Sequence, residues 1–209
     1  MATHPATAQF ISRKLVRRFV SDQPPQSLVD SAAMMFSATD GDIRQVMRHI
    51  LLSSECMASE GQKFRRPIDL MAAILRVTRD VLEMSDHSYV IWMLEAMGQM
   101  PYSWHPPNGY PDAAGAWMST GGMLTRWNLA MLLPLSMDGW FDGLDAKLDA
   151  LIPHAGTVGE LVDNAATTIL QRPLDEASRS HIVHFVANDG VPNESVSGDL
   201  RADKLPALV

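Results

Sequence analysis

The feature that most constrains the fold is the spacing of the apolar residues, which recur every three or four positions through most of the chain. In the first segment one helical face carries five of them: Ala8, Ile11, Leu15, Val16 and Phe19. Alternating apolar runs, which predict strands, are nearly absent, and no Asn-Gly turn joins two β-rich segments. The pattern therefore predicts an all-α fold.

Capping residues, prolines and glycines divide this pattern into roughly nine helices with mostly short connections. Their predicted caps or first residues are Thr3, Gln26, the Asp40-Gly41-Asp42 turn, Pro67, Ser85 or Asp86, Thr120, Trp140, Thr157 and Asp175. One helix is predicted to run from Pro67 to about Leu82 and another from Trp140 to Leu151, whereas 53–66 is predicted to be a loop. The last residues, 203–209, have an Asp cap and an apolar face but stop after about one turn, which indicates a helix truncated at Val209.

Composition is that of a folded globular protein. The 209 residues are 46% apolar and 20% charged, which is enough for one well-buried core, and we predict a single domain, 1–209. No apolar run is long enough to cross a bilayer and the N-terminus lacks the apolar core of a signal peptide, so the chain as given is expected to be soluble. Cys56 is the only cysteine, which excludes an internal disulfide.

Charge is divided unevenly along the chain. Residues 1–80 carry 11 Lys and Arg against 8 Asp and Glu, a balance of +3, and 81–209 carry 6 against 16, a balance of −10. Because the net charge is −7, a polyanion would be repelled and no nucleic-acid partner is expected. The basic half leaves two alternatives open, an anion-binding surface or ordinary solvated and paired charge. Its principal cations are Arg13, Lys14, Arg17, Arg18, Arg44, Arg48, Arg65 and Arg66.

The stretch 104–117, "WHPPNGYPDAAGAW", fits neither a helix nor a strand. Its prolines restrict the backbone, and Asn108-Gly109 favours a tight turn. The candidate ligand-binding residues are Trp104, Asn108, Tyr110, Asp112 and Trp117. The rings could stack a sugar or aromatic ligand, or they could be buried as a clip between helices. A ligand platform requires Trp104 or Tyr110 to be substantially exposed and to line a concavity with Asn108 and Asp112, and full burial of all three rings would exclude it.

Enzyme motifs of the common classes are missing: the chain has no G-x-S-x-G, no Walker-type glycine loop, no G-x-G-x-x-G and no H-E-x-x-H. Three groups contain residue types that bind metals: His181 with His184, the row of Asp138, Asp142, Asp145 and Asp149, and the row of Met93, Met97 and Met100. Surface histidines, a solvated acidic helix face and methionines filling a core explain them more simply. His4, before a proline at a helix start, is interpreted as a structural cap. No metal and no cofactor is predicted.

Six ordered blocks of the sequence resemble one known family. They are "HPATAQFISRKLVRRFVSDQPPQSLVD", "GDIRQVMRHILLSSE", "RRPIDLMAAILR", "MGQMPYSWHPPNGYPD", "GAWMSTGGMLTRWNLA" and "DKLPALV". They match the C-terminal half of the uncharacterised bacterial family "domain of unknown function 1800". The resemblance implies that an N-terminal helical half, a partner for this chain, is missing, and that a second exported protein is a further partner. It also implies an exported or periplasmic location for the full-length members.

Two functions are expected from these observations. The preferred one is a non-catalytic binding or scaffolding module of an exported or envelope-associated bacterial system. The alternative is an enzyme of undetermined class that acts on a polysaccharide or another envelope polymer, with its site near 104–117. A metalloenzyme requires His181 or His184 beside another His, Asp or Glu, and a truncated helix requires an open apolar groove near Leu205–Val209.

Overall fold

A computed structural model describes residues 4–84, 86–136, 144–146 and 148–187 of the protein. Within these ranges the chain forms ten α-helices, one short 3-10 turn and a two-stranded antiparallel ladder. The helices are α1 Pro5–Phe19, α2 Gln26–Ala38, α3 Ile43–Leu51, α4 Ser54–Ala58, α5 Pro67–Val77, α6 Ser88–Ala96, α7 Thr120–Ser136, α8 Leu148–Leu151, α9 Val158–Leu170 and α10 Glu176–Val186. The 3-10 turn is Ala114–Ala116, and the strands are β1 Leu82–Met84 and β2 Leu144–Ala146. The prediction of an all-α fold is confirmed.

The chain divides into two compact units. The first unit comprises Met1–Pro67 and Pro101–Ser119, and the second comprises Ile68–Met100 and Thr120–Val209. The prediction of a single domain, 1–209, stays a prediction. The stretch 104–117 lies entirely within the first unit.

The core of the first unit lies where α1 packs against α2 and α2 packs against α3. Val16, Val29, Val46 and Ile50 are fully buried there. On α1 the predicted apolar face is correct for Ala8 and Val16, which are buried, but Phe19 at its end is exposed. Val20, the residue after Phe19, is buried in the same core, so the chain turns a different side chain inward where α1 ends.

Local capping begins most of the helices for which it was predicted. Asp42 Oδ1 accepts a hydrogen bond from the backbone N–H of Arg44 (2.9 Å) at the start of α3, and Thr157 and Asp175 cap α9 and α10 in the same way. The predicted cap of α1 is wrong, because Nδ1 of His4 accepts from the N–H of Ala6 (3.1 Å) and His4 is the capping residue. The interpretation of His4 as a structural cap is confirmed.

Three predicted segments differ from the structure. Residues 53–66 contain a short helix, α4, because Ser53 Oγ accepts from the N–H of Cys56 and starts a turn. The helix that begins at Pro67 ends at Val77, and β1 follows it. The helix predicted from Trp140 to Leu151 is wrong at 144–146, where β2 pairs with β1, with Leu82 opposite Ala146. Pairing with a distant segment outweighs the local helical preference there.

Three apolar clusters occur among the described residues of the second unit. One contains Met71, Met93, Leu94, Met97 and Leu129, from α5, α6 with the residue that follows it, and α7. Another joins α9 to α10 through Val158, Val162, Val183 and Val186, and the third contains Ile152, Leu161 and Ala165. Met93 and Met97 are therefore core residues, as the simpler interpretation of the methionine row predicts. Among the described residues, no helix has the length and hydropathy that crossing a membrane requires.

Candidate functional site

The candidate site is the loop of residues 101–119. It belongs to the first unit and immediately precedes α7. Its backbone enters the left-handed region at Tyr102 (φ 64°) and at Gly109 (φ 73°). Glycine tolerates that conformation, but a tyrosine is strained in it. Tyr102 is also fully exposed, so an aromatic ring is held in solvent close to Trp104 in the chain. Tyr102 could not be identified as a site residue from the sequence, because neither its backbone angle nor its exposure has a local sequence signal.

Three rings of the loop form a contact series. The ring centroids of Trp104 and Tyr110 lie 4.9 Å apart at an angle of 40°, and those of Tyr110 and Trp117 lie 5.8 Å apart at 47°. These distances and tilts are within the favourable range for aromatic pairs. The series leads from the protein interior to solvent, because Trp117 is 6% exposed and Trp104 is 38% exposed. Tyr110, between them, is partly buried.

Both indole groups are also fixed by hydrogen bonds. Nε1–H of Trp104 donates to Oδ1 of Asn108 (3.1 Å), and Nε1–H of Trp117 donates to the carbonyl oxygen of Pro111 (3.1 Å). The first bond spans the Asn108-Gly109 turn and sets the orientation of the exposed ring. The loop therefore combines a buried anchor, Trp117, with a surface ring that is held in place.

An ion-pair cluster, here called the clamp, fastens the loop to the rest of the first unit. The clamp consists of Asp22, Asp112, Arg18, Lys63 and Arg66. Oδ1 of Asp112 lies 3.3 Å from Arg18, 3.8 Å from Arg66 and 3.9 Å from Lys63. Lys63 also donates to the carbonyl oxygen of Asp112 (3.0 Å) and forms an ion pair with Asp22.

Asp22 completes the attachment from the end of α1. Its carboxylate accepts a hydrogen bond from the backbone N–H of Ala114, the first residue of the 3-10 turn. Burial alone would raise the pKa of Asp22, but the Ala114 N–H, Lys63 and Arg17 together lower the pKa below its ordinary value. Asp22 is therefore ionised at neutral pH, which keeps both the ion pair and the backbone hydrogen bond.

Four of the five predicted site residues contact one another. The fifth, Asp112, lies in the same loop, but its side chain belongs to the clamp. Trp104, Asn108, Tyr110 and Trp117 form one connected group, whereas the carboxylate of Asp112 is directed to the cations of the clamp. The amide oxygen of Asn108 is likewise engaged by Trp104. The Asn108 amide and the Asp112 carboxylate therefore both stabilise the loop. Contact of either group with a ligand stays a prediction. Since Trp104 is exposed, the burial of all three rings that would exclude a platform is not observed.

A concavity of the first unit lies between α2 and α3, away from the residues of the loop. Its volume is about 370 Å³, and it is lined by Met35, Gln45, Arg48, His49, Leu52 and Ser53. Nε2 of His49 lies 2.9 Å from Oγ of Ser31, and the same Oγ lies 3.1 Å from the carbonyl oxygen of Leu28. The Ser31 hydroxyl can donate to the Leu28 carbonyl or to Nε2 of His49, and the tautomer of the imidazole decides which of the two it does.

The other candidate groups do not converge. His181 and His184 are exposed on α10, and no group of three or more His, Cys, Asp or Glu side chains that could hold a metal ion occurs among the described residues. Asp145 lies in β2, so the four aspartates of the predicted acidic row do not share one helix. Asp138 and Asp142 lie outside the described residues, as does the predicted truncated helix at 203–209.

Comparison with known protein families identifies the family of the chain. The model of a family described as "Protein of unknown function (DUF1800)" matches residues 1–202. No curated protein and no solved structure matches the chain.

Proposed function

The chain belongs to the family of proteins of unknown function DUF1800, and we propose that it is a non-catalytic binding module of an exported or envelope-associated bacterial system. One observation carries the proposal. The Trp104 ring is held by Tyr110 and by Asn108, yet it keeps 38% of its surface exposed. A ring that is fixed before binding loses little conformational entropy when a ligand stacks on it.

The proposed ligand is a sugar unit of an envelope polysaccharide. The face of a pyranose ring presents C–H groups that pack against an indole, and Trp104 offers a surface of that kind. Tyr102, fully exposed in the same loop, adds a second ring in solvent. Rigid aromatic side chains on a loop supported by helices are a common way to bind such ligands.

The absence of activated groups in the loop favours binding over catalysis. Both carboxylates near the rings, Asp22 and Asp112, are in ion pairs with cations of the clamp. An acid–base pair for glycoside hydrolysis needs one carboxyl group whose pKa is raised, whereas the pKa of Asp22 is lowered. The alternative function, an enzyme acting on an envelope polymer near 104–117, therefore receives less support.

Isothermal titration calorimetry with a neutral probe, the hexamer of β-1,4-linked N-acetylglucosamine, tests the proposal. We expect wild-type protein to bind the hexamer and Trp104→Ala to weaken binding by about tenfold or more, as for a buried interface anchor. Trp104→Tyr, which keeps a ring, should restore most of the affinity. Trp127→Ala is the matched control, because Trp127 is 71% exposed on α7 in the second unit.

Two results would contradict the proposal. Equal affinity of wild type and a folded Trp104→Ala variant would remove the loop from the binding site. Shortening of the hexamer by the wild-type protein, seen by mass spectrometry, would favour the enzyme. The family resemblance adds two proposed partners, a further helical half of the same protein and a second exported protein, and co-purification with each would test them.

A further inference from the structure

We infer that the exposed side of α1 binds an anionic phospholipid surface. This side, here called the outer row, consists of Phe10, Arg13, Lys14 and Arg17. The outer row lies on a helix and contains none of the residues of the aromatic loop, so the inference goes beyond the proposed function and does not depend on it. It favours the first of the two alternatives that the sequence leaves open for the basic half, an anion-binding surface.

The four side chains of the outer row share one face of α1. They are separated by three, four or seven residues, a spacing that places side chains on one face of a helix. All four are exposed, whereas Ala8, Ser12 and Val16 on the other side of α1 are buried. A helix rises about 1.5 Å per residue, so the outer row is about 10 Å long. This is about one Debye length at moderate ionic strength, so its charges act together on a facing surface.

The cations of the outer row have no carboxylate partner among the described residues. No acidic residue occurs in the sequence of α1, and Arg13, Lys14 and Arg17 form no ion pair with any residue that the structure describes. Arg13 donates to a neutral group, Oε1 of Gln26 (2.5 Å). The nearby carboxylate of Asp30, on α2, accepts instead from two amide side chains.

Asp22 lies beside the other end of the outer row. Arg17 contributes to the lowering of its pKa, but the Asp22 carboxylate contacts Lys63 and the N–H of Ala114 and not the guanidinium of Arg17. Both neighbouring carboxylates, Asp22 and Asp30, are therefore held by other donors. The outer row keeps N–H donors that no described carboxylate occupies, and phosphate oxygens are acceptors of the kind that such donors bind.

Phe10 favours a lipid surface over an acidic protein as the partner. Its ring is 57% exposed, and Nζ of Lys14 lies 4.9 Å from the ring centroid. An aromatic ring with cations beside it on one helix face suits an anionic membrane, because the ring enters the boundary below the headgroups while the cations contact phosphates. The net charge of −7 does not cancel this attraction, since carboxylates more than a Debye length away are screened.

Co-sedimentation with unilamellar vesicles tests the inference. One set of vesicles is an equimolar mixture of phosphatidylglycerol and phosphatidylcholine, and the other is phosphatidylcholine alone. We expect the protein to bind the first set, less strongly as the salt concentration rises, and not to bind the second. The double variant Lys14→Gln, Arg17→Gln should bind about 25-fold more weakly, which is about fivefold for each cation near an anionic surface.

Phe10→Ala separates the apolar contribution from the charge. This variant should bind the anionic vesicles about fivefold more weakly, because less apolar surface is buried. The dependence of its binding on salt should equal that of the wild type, since no charge is removed.

The double variant Arg44→Gln, Arg48→Gln is the matched control. Both arginines are exposed on α3 and form no ion pair with a described residue, so the change in net charge equals that of the double variant on α1. The control should bind the anionic vesicles as the wild type does. Circular dichroism melts check that both double variants are folded.

Three results would overturn the inference: no preference of the wild type for the anionic vesicles, an equal loss of binding in the two double variants, or binding of soluble polyglutamate without binding of the anionic vesicles. The last would indicate an acidic protein as the partner. Each of these results would leave the proposed function standing, because Trp104 takes no part in them. Calorimetry with the neutral hexamer tests the proposed function separately.

Discussion

Trp117 and Trp104 occupy the two ends of the same ring series, and their replacement by alanine should have different effects on stability. Each indole donates one hydrogen bond of 3.1 Å and contacts Tyr110, so these contributions largely cancel in the comparison. The exposed fraction differs, at 6% against 38%. For a side chain of about 250 Å² that difference is about 80 Å², and at about 25 cal/mol/Å² it corresponds to about 2 kcal/mol. Differences of buried area are more reliable than absolute sums.

We therefore expect Trp117→Ala to lower the free energy of unfolding by about 2 kcal/mol more than Trp104→Ala does. Urea titrations followed by circular dichroism at neutral pH would measure it. With a slope of about 2 kcal/mol per molar urea, the midpoints of the two variants should differ by about 1 M. Equal midpoints, or a lower midpoint for Trp104→Ala, would refute the assignment of Trp117 as the anchor and Trp104 as the surface ring.

Three further predictions test the supporting structure. Asp22→Asn should lower the melting temperature at pH 7. Because the pKa of Asp22 is lowered in the folded state, the deficit in melting temperature should persist as the pH falls to about 3.9, the ordinary pKa of an aspartate, and should shrink only below that pH. Melts from pH 7 to 2 in which the two proteins keep a constant difference would contradict this. Gly98→Ala should cost about 1–2 kcal/mol, because the residue is left-handed (φ +82°) with no atom within 4 Å of the new Cβ. Gly41→Ala has the same φ but places its Cβ 3.2 Å from the ring of buried Phe36, so its denaturation midpoint should lie below that of Gly98→Ala. A higher midpoint for Gly41→Ala than for Gly98→Ala would contradict the contact between Gly41 and Phe36. Thr157→Ala should destabilise α9 by about 1 kcal/mol, and Thr157→Ser, which keeps the hydroxyl, should not; equal midpoints would show that the cap contributes nothing.

The helices could be predicted largely because their signals are local. Asp42, Thr157 and Asp175 each accept hydrogen bonds from N–H groups two or three residues later, and a short window of sequence contains both partners. The strand pair could not be predicted in this way. Each strand has three residues, too few for alternation to be recognised, and the partners Leu82 and Ala146 are far apart in the chain.

The site shows the same division between local and distant partners. The aromatic and proline-rich composition of 104–117 predicts an ordered loop with large rings, but it does not distinguish the buried Trp117 from the exposed Trp104. That distinction depends on the attachment of the loop to the first unit. The carboxylate of Asp22, just after α1, accepts a hydrogen bond from the N–H of Ala114, 92 positions later. A contact of that separation leaves no pattern in a single sequence.

The central claim is that a carbohydrate stacks on Trp104. The most direct measurement is a titration of ¹⁵N-labelled protein with the hexamer of β-1,4-linked N-acetylglucosamine, followed through the indole N–H resonances of its five tryptophans. Trp104→Phe and Trp127→Phe variants would identify two of the resonances. We predict that the Trp104 resonance shifts progressively with ligand while that of Trp127 stays in place. A Trp104 resonance that does not move at the highest ligand concentration, or one that moves no more than that of Trp127, would contradict the account.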